Sequence, residues 1–454
     1  MGITTQTNMN KQPSYRLPFA LVTSLFFLWG IANSLNGILI SHFQVALDLR
    51  RWQAGLVDSA FYLGYFFLAI PAGLFMNRHG YKKGILLGLL LYGVGALLFY
   101  PAAETRLYGF FLFALFTIAG GLAFLETAAN PYIAVLGDPA RAEQRLNFSQ
   151  SFNGLSIIFG PLLGSLLIFT DNNYSAEDLA AMPAAAAEAV RAAEARTVQL
   201  PYLGLAAAVL GVAFLFRITR MPEPVPPSAG APTSQGWPAL LRQKNLAMAI
   251  AAQFAYVGAQ ACLWGYFIDL KLTLSPDRHF FLVEALQPFF EWLTGGAEDL
   301  TPKRWAGFHL TFSFLLFMTG RFFGTWLMSF VRPPRLLAVF AVVSMALLLT
   351  GVLGSGLSAV TAVMFASFFM SIMFPTIFAL GTKGLGTQMK TGSSLIIMAI
   401  AGGAVMPPIL GSIADAGGGG YQTAFLVPAL CFIVILQFAW YVNRMEGRNQ
   451  AVTL

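Results

Sequence analysis

Long apolar runs follow one another along this chain, separated by short polar interruptions. A helix needs about 20 mostly apolar residues to cross the hydrocarbon of a bilayer. By that measure the pattern predicts twelve spans, roughly 17–42, 53–76, 84–102, 107–133, 147–169, 200–219, 245–272, 306–331, 335–354, 357–382, 392–414 and 421–443. Residues 1–16 are polar, and the first apolar run is too long for the apolar core of a cleavable signal, so it reads as span one. The expected fold class is an all-α polytopic membrane protein.

Composition fits that pattern. Of 454 residues, 57% are hydrophobic and 10% charged, and the mean hydropathy is +0.67. Soluble proteins carry about 25% charged residues, so a soluble multidomain enzyme is excluded. An even number of spans puts both termini on one side. Seventeen of the 27 Lys and Arg lie in the tails and the loops on that side, against nine opposite. The positive-inside rule then makes both termini cytoplasmic, and it accounts for the net charge of +7 without nucleic acid. Cys262 and Cys431 both sit in apolar runs, which excludes a disulfide framework.

The expected organisation is a cytoplasmic tail 1–16, a six-helix half 17–220, a linker 221–244, a second half 245–443 and a tail 444–454. Five prolines between Met221 and Pro238 mark the linker. Two outer segments are long: 175–196 is Ala-rich and suggests a surface helix, and 273–304 suggests a partly ordered outer cap. A repeat joins the halves. Span four ends Pro131-Tyr-Ile-Ala-Val-Leu-Gly137 and span ten ends Pro375-Thr-Ile-Phe-Ala-Leu-Gly381, both P-x-I-x-x-L-G, 244 positions apart. Pro161-Leu-Leu-Gly164-Ser165 and Pro408-Ile-Leu-Gly411-Ser412 match at an offset of 247. Each match links a span to the sixth after it. The halves are therefore expected to share orientation, with a pseudo-two-fold axis along the membrane normal and a substrate site at midplane between them.

Ionisable groups inside a membrane are costly and mark function by default. Glu126 lies deep in span four, where a lone carboxyl in a medium of low dielectric can exchange a proton. Asn130 stands one turn away on the same face. Arg321 lies inside span eight and must find an anion, carbonyls or water. It is expected either to gate or pair structurally, or to touch substrate. Asp58, near the outer end of span two, is a second candidate for coupling. Asn33, Ser34 and Asn36 interrupt span one, and Gln150 and Asn153 share a face of span five. In span seven, Gln253, Tyr256, Gln260 and Trp264 form one helical stripe. Amides bind hydroxyls and aromatic faces pack against the apolar side of a ring, so a sugar is the expected ligand. His42, His79, His279 and His309 are dispersed, no metal or nucleotide motif occurs, and no cofactor or enzymatic chemistry is expected.

The loop after span two, Gly73-Leu-Phe-Met-Asn77-Arg78-His-Gly80-Tyr-Lys82-Lys83, resembles the G-x-x-x-D-R-x-G-R-[KR] motif of the major facilitator superfamily, with Asn77 for the usual Asp. Asn77 and Arg78 are read as gate elements. Ser24-Leu-Phe-Phe-Leu-Trp29, Gln53-Ala-Gly55, Leu125-Glu126-Thr-Ala-Ala-Asn130-Pro131, Gly320-Arg321-Phe and Gly392-Ser-Ser394 make the chain similar, from about Pro18 to Tyr441, to the fucose:proton symporter family. That family also contains glucose/galactose and N-acetylglucosamine permeases. The resemblance implies alternating access, a central sugar site, a monomer and two membrane carboxylates. One falls on Glu126. The other would directly follow Asn36, where this chain has Gly37.

The expected function is import of a monosaccharide or amino sugar by proton symport in a bacterial inner membrane. Gly37 raises a facilitative uniporter or sodium-coupled carrier as the alternative. A membrane sugar sensor and a drug/proton antiporter fit less well, because residues 444–454 offer no signalling domain and the stripe in span seven is rich in amides.

Overall fold

The computed structural model describes residues 16–49, 53, 56–167, 179, 181–222, 237–293, 302–416 and 420–452. Among these, ten helical runs are long and apolar enough to cross a membrane. One of them, Leu56–Thr105, spans 50 residues and contains spans two and three. They meet at Gly80, whose φ of 82° is a left-handed conformation open to glycine, so the chain breaks there. Span five, Ala142–Leu167, is missing from the ten. Its first half carries Glu143, Gln144, Arg145, Asn147, Gln150 and Asn153, which lower its hydropathy. Dividing the long run and adding span five gives twelve.

The other spans are one (Arg16–Ala46), four (Tyr108–Val135), six (Gln199–Ile218), seven (Lys244–Gly265 continued by Phe267–Leu274) and eight (Pro302–Leu327). Span nine is Pro333–Leu353. Span ten is Gly356–Met370 with Met373–Thr382, and span eleven is Met389–Met398 with Gly402–Ala416. Span twelve is Gly420–Ala424 with Leu426–Val452. The Ala-rich outer segment forms the helix Ala184–Thr197, which runs into span six. Part of the 273–304 segment forms two short helices, Phe281–Ala285 and Gln287–Leu293. Most of the 221–244 linker lies outside the described residues.

In lipid, apolar side chains gain nothing by leaving hydrocarbon, so helices associate through close packing and interhelical hydrogen bonds. Gly121 lets spans three and four touch: a Cβ there would stand 2.6 Å from the Gly88 carbonyl oxygen and from the Tyr92 nitrogen. Phe99 and Tyr202 stack at 3.6 Å between the end of span three and span six. Lys82, from the loop motif, donates to the carbonyls of Arg217 and Thr219 at 2.9 Å each, closing the C-terminus of span six. Arg145 likewise donates to the Ile133, Ala134 and Asp138 carbonyls at the end of span four.

The halves meet closely on the side that carries the termini. Asn77 Nδ2 donates to Thr391 Oγ1 at 2.7 Å, and Asn147 Nδ2 to Thr376 Oγ1 at 3.1 Å. Gln144 Nε2 donates to Ser329 Oγ at 2.8 Å. Lys383 stands 3.8 Å from Glu143 across the halves and 2.7 Å from Glu446 within its own. A Cβ on Gly73 would reach Ser394 Oγ at 2.6 Å, so glycine permits spans two and eleven to approach there.

Candidate functional site

Above that closure lies a cavity of about 360 Å³, bounded by both halves. Spans one and two give it Trp29, Asn33, Asp58, Tyr62 and Tyr65; spans four and five give it Glu126, Gln150 and Asn153. From the second half come Tyr256, Gln260 and Trp264 of span seven, Phe314, Phe317 and Arg321 of span eight, and Phe374 of span ten. Most of the residues singled out from the sequence therefore share one space, although they are scattered over the chain.

Glu126 is buried, and Tyr65 donates its hydroxyl to Glu126 Oε1 at 2.6 Å. Behind it, Asn130 does not line the cavity. Its Nδ2 donates to the Glu126 carbonyl at 2.9 Å, and its Oδ1 accepts from Gln150 Nε2 at 2.9 Å. Asn130 is thus a bracket that fixes Gln150, and not the direct ligand contact expected for it. Asn153 Nδ2 donates to the Phe26 carbonyl at 3.3 Å, pinning span five to span one.

Arg321 is 3% exposed and, among the described residues, has no carboxylate partner within ion-pair distance. Its Nε donates to the Ser371 carbonyl and its Nη1 to the Gln150 carbonyl, both at 2.7 Å. The guanidinium also lies 4.5 Å from the centre of the Phe317 ring. Ser371 stands four residues before Pro375. Proline has no N–H, so the carbonyl four residues earlier loses its helical donor. The proline of the repeated P-x-I-x-x-L-G segment thereby frees a carbonyl that Arg321 takes up. One bond runs to span ten and one to span five, so Arg321 straps the halves together beneath the cavity.

Trp264 Nε1 donates to Ser367 Oγ at 3.2 Å, and its ring meets Phe314 and Phe317 edge-on at 5.0 Å each, which fixes the indole as one cavity wall. Gln253 belongs to the same helical stripe but lies off the cavity. It is wholly buried, and neither amide atom has a partner among the described residues. At 100° per residue the four members stay within about 80° of one face, so Gln253 leaves the cavity by depth and not by drift: it lies one turn nearer the terminal side than Tyr256. Asn77 and Arg78 are at the terminal-side closure and not in the cavity. The side chain of Asn36 lies outside the described residues, as does the surrounding of Gly37. His279 and His309 are not dispersed: their ring centres lie 5.7 Å apart at the outer end of span eight, where the Phe280 N–H donates to His309 Nε2.

Sequence reasoning missed Tyr62 and Tyr65 as site residues. A signal was present: Asp58, Phe61, Tyr62 and Tyr65 repeat at three and four positions, the same stripe logic applied to span seven.

A twelve-span helical protein whose halves enclose a polar, aromatic-walled cavity, shut on one side, is a membrane carrier. The chain matches the Major Facilitator Superfamily model over residues 21–401 and belongs to that superfamily. It is 42% identical to the L-fucose-proton symporter of Escherichia coli (strain K12) over 431 residues, 94% of this chain and 93% of that one. It is 34% identical to the glucose/galactose transporter of Brucella abortus biovar 1 over 94% of this chain and 95% of that one. The crystal structure of FucP, a Major Facilitator Superfamily transporter in the outward conformation, superposes with a TM-score of 0.81 at 41% identity, covering 94% of this chain and 99% of that one. These relatives are transporters, and the chain is a carrier and not an enzyme.

Proposed function

We propose that this protein imports a monosaccharide or amino sugar together with a proton, by alternating access, across the inner membrane of a bacterium with both termini cytoplasmic. The observation that carries the reading is the cavity itself. It pairs one buried carboxyl, Glu126, with amides and aromatic walls from both halves. The names of the relatives support sugar and proton as the transported pair.

In this reading Gln150, Asn153, Asn33 and Gln260 meet sugar hydroxyls. Gln150 Oε1 carries no protein hydrogen bond among the described residues, while Nε2 is held in place by Asn130. Trp264 or Tyr256 packs on the ring. A proton on Glu126 removes a charge that would otherwise cross a medium of low dielectric with the loaded site. Asp58, at the exposed rim, is the second acid that lines the cavity among the described residues and is the candidate stand-in for the carboxylate that Gly37 lacks. Reorientation requires the Arg321, Asn147, Asn77 and Gln144 bonds between halves to break. Arg321, read from sequence as gate or ligand, acts here as gate.

The test is uptake of radiolabelled L-fucose, glucose, galactose, mannose and N-acetylglucosamine into proteoliposomes under separate proton and sodium gradients. Accumulation of one sugar driven by protons is expected. Accumulation driven by sodium, or equilibration with no accumulation, would replace proton symport by the sodium-coupled or uniport reading.

A further inference from the structure

The segment between spans seven and eight is tied down at both ends. Lys271, buried at the end of span seven, donates to the Ser275 and Pro276 carbonyls. The Phe280 N–H donates to His309 Nε2 at 3.0 Å, and His279 stacks on Trp305 at 4.0 Å. The two short helices that follow bury Val283 and Phe290, and Phe290 stacks on Phe308 of span eight at 5.1 Å. Their other side is unusual for chain outside a span. Phe281 is 65% and Trp292 72% exposed, with Leu282 and Phe289 exposed between them.

What this face meets follows from the helical geometry of span eight. Phe314, Phe317 and Arg321 line the cavity. Phe323 and Trp326, 46% and 56% exposed, lie on the opposite face, and in a membrane their exposed surface meets lipid. Trp305 and Phe308 precede them by 18 residues each (323 − 305 and 326 − 308), which is five turns at 3.6 residues per turn. They are on the same lipid-directed face. The two short helices therefore cover the outer end of the lipid face, not the mouth of the cavity. Phe308 lies four residues inside Arg304, about 6 Å along the helix axis at 1.5 Å per residue. That is the depth of the boundary between headgroups and acyl chains, where aromatic rings concentrate and amphipathic helices lie flat.

We infer that Phe281–Leu293 is an interfacial anchor: Phe281, Leu282, Phe289 and Trp292 insert into the leaflet opposite the termini, beside span eight. Its partner is the lipid surface. A lid over the cavity and a contact with a second copy are the competing outcomes.

The experiment uses the full chain in vesicles of phosphatidylethanolamine and phosphatidylglycerol. Nitroxide labels are placed through Phe281→Cys, Trp292→Cys and Glu284→Cys, in a background with Cys262→Ala and Cys431→Ala. Collision with oxygen, which concentrates in hydrocarbon, is compared with collision with a water-soluble nickel chelate. The oxygen-to-nickel ratio is expected to be several-fold higher at 281 and 292 than at the flanking, exposed position 284. Equal ratios at all three positions would place the segment in water. Shielding from both reagents at 281 and 292 would mean protein covers it. Either result overturns the inference. A second readout needs no cysteine replacement. The tryptophan emission lost in Trp292→Phe is expected to be quenched in vesicles containing brominated acyl chains, and the absence of such quenching also overturns it.

Discussion

Gln150 serves two neighbours and leaves one atom for a third. Its amide nitrogen is held by Asn130 and its backbone carbonyl by Arg321, so the side-chain oxygen is presented to the cavity in a fixed orientation. Preorganisation of this kind lowers the cost of ordering a polar group on binding. Gln150→Ala and Asn153→Ala are each expected to weaken sugar binding by about 0.5–1.5 kcal/mol per hydrogen bond lost, with the folded protein retained. Titration calorimetry on purified variants measures it, and wild-type affinity in both would remove these residues from the site. Asn130→Ala is expected to weaken binding too, although Asn130 does not touch the cavity, because Gln150 loses its bracket. The residue types were legible in the sequence, since a buried amide or carboxyl in a span stands out against apolar neighbours. Their pairings were not. Tyr65 belongs to a readable stripe on span two, but its bond to Glu126 appears only when span four is packed beside it.

At the scale of elements, closure of the terminal side rests on a few cross-half bonds and on small residues that let helices touch. Arg321 links span eight to span ten through the carbonyl that Pro375 frees, and to span five through Gln150. Arg321→Lys keeps the charge but loses the fork that reaches two carbonyls at once. It is expected to loosen the closure, seen as faster labelling of an Asn147→Cys thiol by a reagent added from the terminal side. Labelling no faster than in the wild-type background would make Arg321 a ligand residue alone. Gly73→Val is expected to act more strongly, because even its Cβ would stand 2.6 Å from Ser394 Oγ. A closed terminal side would then be unreachable, and uptake would fall while the protein still folds. Unchanged uptake by Gly73→Val would show that spans two and eleven do not need this approach. The loop motif, the duplication and the number of spans were readable because each is local or periodic. Spans two and three count as one helical run by hydrogen bonding alone, and the Gly80 break that the sequence pattern marks is what divides them. The packing of Phe281–Leu293 against span eight was not readable, because it depends on which face of that helix the rest of the protein covers.

For the whole molecule, the central claim is that binding of sugar and of a proton are coupled through Glu126 in one cavity that opens to one side at a time. Linkage fixes a direction: if the site prefers sugar with Glu126 protonated, sugar affinity falls as pH rises, and sugar binding takes up a proton. Glu126→Gln imitates the protonated carboxyl and removes the titration. The measurement that tests the claim most directly compares this variant with the wild type in proteoliposomes, by exchange of labelled sugar with no gradient and by accumulation under an inward proton gradient. The account predicts that Glu126→Gln retains exchange and loses accumulation, with parallel Asp58→Asn measurements showing whether a second acid contributes. Accumulation by Glu126→Gln at the wild-type rate would contradict the account and leave Glu126 a structural carboxyl.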